Sequence, residues 1–239
     1  MNNNKNLIPG IYNYCDSWCE RCKFTQQCST YVPTTENTNL DTSFESIGEI
    51  LTSTIQMLHK LAEQYGIDFD SIDYDAYEEE NLKIRKKAGS LKSSILSKAY
   101  IDLVETWLNS SENMLTNKIE ELRQLEENGI PNINFQKELK NLNEAIEVIC
   151  WYKHLIYVKI MRATTGTVGN RDNDDNNGSA KVALIGIDRS IVAWAKLLSF
   201  FPEQEDKLLD ILVHLERLRR QTENEFPNAQ AFKRPGLDE

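Results

Sequence analysis

Basic residues are the minority charge in this chain, 27 Lys and Arg against 37 Asp and Glu, for a formal net charge of -10. That balance excludes a phosphate backbone as the expected partner, because nucleic-acid affinity comes largely from cations displacing counterions. Long apolar runs are missing too. The best stretches, 148–152 and 155–158, are interrupted by Lys153, His154 and Lys159, far short of the ~20 apolar residues of a spanning helix, so no membrane partner is expected. The polar start, residues 1–9, lacks the apolar core of a secretory leader, and the expected location is the cytoplasm. Proline and glycine are scarce, 6 and 10 residues, and no segment reads convincingly as a strand.

Helical periodicity is what the chain does have. Phe44, Ile47, Leu51, Ile55, Leu58, Ala62 and Tyr65 recur at spacings of three and four, predicting a helix capped by Asp41 and stopped at Gly66. Residues 67–80 are acidic without a single base and read as a solvated connection, followed by Lys83, Arg85, Lys86 and Lys87, with Glu79 and Lys83 placed for an i,i+4 pair. Residues 82–127 read as one long helix or two nearly continuous ones, striped by Tyr100, Val104, Trp107, Leu115 and Leu122 and ended by Gly129 and Pro131. Asn132 or Asn134 is placed to cap the next helix, which is apolar on every face around 148–158 and so central. The polar run 164–179 reads as a loop, after which Ser179 caps a helix over 180–200 rich in small residues. Pro202 opens the last helix and Phe226 with Pro227 closes it. The expectation is all-α: a bundle of about five long helices over 36–239, preceded by an irregular metal-binding arm over 1–35.

That arm gathers four of the five cysteines, Cys15, Cys19, Cys22 and Cys28, into C-x3-C-x2-C-x5-C. In a reducing compartment such a cluster reads as metal ligands rather than disulfides, and without the metal the arm is expected to be disordered. Structural zinc usually takes two C-x2-C knuckles separated by a longer loop, whereas four close thiolates suit a cubane whose irons lie apart. A 4Fe-4S cluster is therefore the first expectation and Zn2+ the alternative. Cys150, inside an apolar helix, reads as a small buried hydrophobe.

The segment Cys19-Glu-Arg-Cys22-Lys-Phe24-Thr-Gln-Gln-Cys28 resembles the C-x2-C-x-(F/Y)-x3-C staple of bacterial helicase-nuclease subunits and CRISPR-associated exonucleases. The likeness covers about ten residues and implies the cluster type, a 4Fe-4S group pinning a terminus to the body. It does not extend to nuclease activity, because no Asp…Glu-x-Lys constellation on strands accompanies it. The C-x3-C-x2-C portion is superficially similar to the radical-SAM loop, but that class needs a β/α barrel, and Cys28 can fill the iron position that class leaves open. The arm from Ile8 to Cys28 also resembles the N-terminus of uncharacterised bacterial proteins.

Two other expectations compete. In one, the chain is an enzyme or small-ligand binder whose bundle pocket is lined by Glu147, His154 and the 164–179 loop, where Arg171, Asp174, Ser179 and Lys181 stand near a helix N-terminus able to hold an anion. A di-iron site is disfavoured because no Glu-x-x-His pair is repeated, and a calcium loop because Gly178 stands one place late after Asp172, Asp174 and Asn176. In the other, a zinc-stapled module serves only to bind partners. A redox or protein partner accompanies the cluster reading.

Overall fold

The computed structural model describes residues 7–31, 44–68, 73–129 and 134–238. It contains six α-helices and, among the described residues, no strand: α1 (Phe44–Tyr65), α2 (Tyr74–Gly89), α3 (Lys92–Glu127), α4 (Phe135–Val168), α5 (Asn173–Phe200) and α6 (Glu205–Glu225). The chain divides into two compact units, Met1–Asn13 with Ser17–Lys83, and Tyr14–Asp16 with Ile84–Glu239.

The first unit holds three short 3-10 turns, Ile11–Asn13, Cys19–Arg21 and Thr25–Gln27, and the helix α1. Gly66, with φ at 66°, ends α1 as its left-handed stop. Leu51, Ile55, Leu58 and Leu61 of its apolar stripe are exposed, while Ala62 is buried. The cap expected at Asp41 lies outside the described residues. The acidic connection is shorter than its composition suggests. Asp73 accepts the Ala76 N–H at 2.9 Å and starts α2 at Tyr74, and Glu79 pairs with Lys83 at 2.6 Å as its spacing predicts.

In the second unit α3 packs on α4, α4 on α5, α5 on α6, and α6 back on α3, closing a four-helix ring. Short connections make successive helices antiparallel. Each helix turns one stripe inward: Tyr100, Val104 and Trp107 from α3; Leu142, Ile149, Tyr152, Ile156 and Ile160 from α4; Leu184, Ile187, Trp194 and Leu197 from α5; Leu208, Leu215 and Leu218 from α6. Each fully buried Leu or Ile adds about 1.5–3 kcal/mol by leaving water. Gly186 lets α4 and α5 close up, since a Cβ there would meet Ile156 and Tyr152 at 3.0 Å. Trp107 stands edge-on to Trp194 at 5.0 Å, where α3 and α5 face each other across the core.

Several sequence expectations need correction. Residues 164–179 are not a loop: α4 runs to Val168 and α5 begins at Asn173, leaving only 169–172 between them. Several of the polar residues are accommodated by helical chemistry, while Asn176 and Ser179 are buried with side-chain atoms that bond no protein partner among the described residues. Thr164 and Thr167 bond back to the carbonyls of Ile160 (2.9 Å) and Ala163 (3.1 Å). Asp172 caps α5 by accepting the Asp174 N–H at 2.9 Å, and Asp174 and Asp175 sit at the positive helix end. Ser179 is therefore no cap but a fully buried residue inside α5. Of the two readings of 82–127 the second holds: the extended backbone of Leu91 (ψ 148°) separates α2 from α3 as two nearly continuous helices. Asn134 does cap α4, accepting from the Lys137 N–H at 2.9 Å; Asn132 lies outside the described residues. Cys150 is exposed, on the outer face of α4, because the neighbouring positions Ile149 and Tyr152 take the inward stripe.

Candidate functional site

Three of the four arm cysteines lie in the first unit, where a backbone bond from Ile8 N–H to the Gln27 carbonyl (2.9 Å) closes the arm into a loop. Cys22 and Cys28 occupy the same local geometry twice. Each follows a 3-10 turn, with its own N–H donating to the carbonyl of the turn's first residue: Cys22 to Cys19 at 3.1 Å, Cys28 to Thr25 at 3.3 Å. Each is extended, at φ -86°, ψ 125° and φ -104°, ψ 117°. In each, the sulfur then meets a polar group of the residue two positions on. The Phe24 N–H donates to Cys22 Sγ at 3.4 Å, and the polar groups of Thr30 favour the thiolate form of Cys28 Sγ. Thr30 Oγ1 lies 3.2 Å from the same sulfur. Burial alone would raise the Cys28 thiol; the donors from Thr30 and Tyr31 together outweigh it and hold the pKa below its ordinary value. Cys19 is exposed at the head of the first turn.

Cys15 belongs to the second unit, in the short segment Tyr14–Asp16 that is fastened to the helices on both sides of it. On one side the Tyr14 hydroxyl donates to Asp175 Oδ1 at 3.1 Å, and Arg162 grips the same carboxylate at 2.6 Å. Desolvation, then the Asp175 bond, raises the Tyr14 pKa. On the other side Asp16 Oδ2 accepts from Tyr152 Oη at 2.7 Å and from Arg189 at 2.5 Å, while Trp151 Nε1 donates to the Asp16 carbonyl at 2.9 Å. Arg189 also donates to the Tyr152 hydroxyl. Burial first, then Asp16, pushes the Tyr152 phenol up. Cys15 thus sits, half-buried, between two assemblies of the same composition, each a phenol, a carboxylate and a guanidinium.

The remaining candidates are scattered. Glu147 and His154 are both exposed on α4, and Trp151 between them anchors the Asp16 carbonyl. Arg171 and Asp174 are exposed at the start of α5. Lys181 pairs with Asp238 at 2.9 Å and donates to the Gln230 carbonyl at 3.3 Å, so the C-terminal tail takes up the cation expected to meet an anion. His214 bonds the Leu96 carbonyl at 2.8 Å as an ordinary bundle histidine. Tyr14, Asp16, Lys159 and Asp175 were not legible as site residues, and Arg162 and Arg189 were legible only as cations for an anion at the 164–179 segment. Only the closeness of Tyr14 and Asp16 to Cys15 in the chain hinted at two of them.

Among the described residues no three His, Cys, Asp or Glu side chains are gathered into a metal-ligating group. Close approach of four thiolates costs electrostatic energy that a bound metal offsets, so ligand convergence and loading go together. The donor set at Cys22 and Cys28 fits a thiolate-ligated group, since backbone N–H bonds to sulfur stabilise the charge that such ligands carry. No helix among the described residues is long and apolar enough to cross a membrane. No family model matches the chain, and no curated protein or solved structure shows significant similarity to it.

Proposed function

We propose that Cys15, Cys19, Cys22 and Cys28 bind a 4Fe-4S cluster, with zinc as the alternative metal, in a cytoplasmic protein whose cluster is structural, redox-sensing or an electron carrier for a protein partner. The observation that carries this is the repeated sulfur geometry: Cys22 and Cys28 each end a 3-10 turn, and each sulfur meets a polar group of the residue two positions on, the Phe24 N–H in one and the Thr30 hydroxyl in the other. An ordinary surface cysteine has no need of such donors, whereas a ligating thiolate does. The likeness of 19–28 to the nuclease staple supports the same cluster type. A bound cluster would supply one-electron chemistry. The chain's part is to deliver thiolates, direct polar groups at their sulfurs and hold Cys15 between anchored neighbours.

Anaerobic purification followed by iron, sulfide and zinc analysis tests the proposal. Iron and sulfide in equal amounts, with broad visible absorption that bleaches under dithionite, is the expected result. Cys22→Ser and Cys28→Ser should lose the metal while Cys150→Ser keeps it. A colourless protein with one zinc per chain would replace the cluster by the alternative, and a protein that retains neither metal would sink both.

A further inference from the structure

We infer that Lys159 is a charge-compensating positioning residue of the thiolate site: its buried ammonium, on the α4 face that holds the neighbours of Cys15, offsets the negative charge of the metal centre that Cys15 helps to ligate. The inference rests on the ligand set proposed above and names what tunes it.

Lys159 is only 7% exposed, a rare condition for lysine without anionic company. On α4 it follows Tyr152 by seven residues and precedes Arg162 by three, spacings that put all three on one face. The outer two fix the neighbours of Cys15: Tyr152 holds Asp16, and Arg162 holds Asp175, which receives Tyr14. The middle member is thereby placed along the stretch of helix that Cys15 covers. Burial and the Arg162 charge act against the Lys159 ammonium, and Cys15, Asp175 and Asp16 act in its favour. Those carboxylates also have guanidinium partners, Asp175 in Arg162 and Asp16 in Arg189.

A centre ligated by four thiolates is anionic, and adding an electron makes it more so. A cation held nearby in a low-dielectric setting favours the more negative state and raises the reduction potential.

The test compares the full chain with Lys159→Arg, Lys159→Met and Lys159→Gln, and with Lys196→Met as the same loss of charge elsewhere in the bundle. All are loaded anaerobically, and iron and sulfide are counted before the fraction reduced is read at a fixed dithionite poise. Both neutral variants should retain the cluster but show a ratio of reduced to oxidised protein on the order of tenfold lower, ~59 mV for a one-electron couple. Lys159→Arg and Lys196→Met should match the parent. Two neutral substitutions guard against one of them misfolding, and the potential is a readout that packing alone would not move in step with charge. Equal potentials at equal cluster content would overturn the role of Lys159 and leave the ligand set standing. Failure of the parent itself to bind metal would overturn both. If the parent takes zinc, chelator competition on the same proteins decides: about tenfold weaker zinc binding in the neutral variants supports the inference, and equal affinity overturns it.

Discussion

At the scale of single residues, Gly178 shows most directly how the segment around Cys15 is seated. The Tyr14 and Phe232 rings meet edge-on at 4.8 Å, one from the arm and one from the C-terminal tail. Both rest against Gly178, where a Cβ would lie 2.4 Å from Tyr14 Cε1 and 2.9 Å from Phe232 Cε1. Replacing a helical glycine by alanine ordinarily gains up to ~1 kcal/mol. Here Asp175 restrains Tyr14, so overpacking, typically ~1–3 kcal/mol, should win. Gly178→Ala is expected to lower stability in urea unfolding, and adding Tyr14→Ala should recover part of the loss, giving a double variant well short of additive. An additive double variant would mean that the two residues do not share the space. None of this was readable beforehand, because Tyr14 meets its partner Asp175 across 161 positions of sequence, and neither residue type nor local spacing encodes such a meeting.

At the scale of elements, what could be read was whatever repeats within one helix. The stripes of α3 to α6 and the Asn134 cap emerged from spacing and residue type because both are set within a few residues. The run 164–179 was misread because its polarity suggested solvent, when Asp172 and two threonines bond to the helix backbone and Asn176 and Ser179 are buried inside α5. The start of α3 was equally hidden. Leu91 offers its first turn no side-chain cap. The acceptor comes from the last residue of α6: Glu225 Oε1 takes the Ser93 N–H at 3.2 Å, and its other oxygen takes the Ser93 hydroxyl. A carboxylate at that position also complements the α3 dipole. Glu225→Ala should therefore cost about 1–2 kcal/mol in chemical denaturation, as loss of a good N-cap does, with Glu225→Gln recovering the hydrogen-bonding share. An unchanged midpoint for Glu225→Ala would show that water serves Ser93 as well. In the arm, the spacing of the cysteines pointed to metal, but the doubled turn that brings a polar group to each of two sulfurs is a backbone conformation that composition does not reveal.

At the scale of the whole molecule, the ionisable groups built into the second unit set the pH range in which it stays folded. On the acid side Arg234, bonded to Asp238 at 2.7 Å, holds that carboxyl well below its usual range, with Lys181 helping. A depressed folded pKa contributes stability above the ordinary carboxylate value and loses it as the pH falls below that value, so Asp238→Asn should blunt acid unfolding. The alkaline side rests on Tyr100, fully buried, whose hydroxyl accepts the Trp194 indole N–H at 3.0 Å. Burial pushes its pKa from 10.0 to about 12, and Tyr152 and Tyr14 are raised as well. In the unfolded chain these phenols lose their protons near their ordinary value, while the folded protein keeps them. The unfolded state then binds fewer protons and gains on the folded one. The contribution is complete below pH 10 and is lost as the pH climbs from there toward 12. The urea midpoint should thus hold level from about pH 7 to 9 and fall steeply above 10. Tyr100→Phe separates the two effects of this hydroxyl. It leaves the Trp194 N–H without its acceptor in the core, which should cost about 1–3 kcal/mol at neutral pH. It also removes a fully buried phenol, so the decline above pH 10 should be shallower. A variant with the parental alkaline slope would place that sensitivity in Tyr152 and Tyr14 instead of the bundle centre.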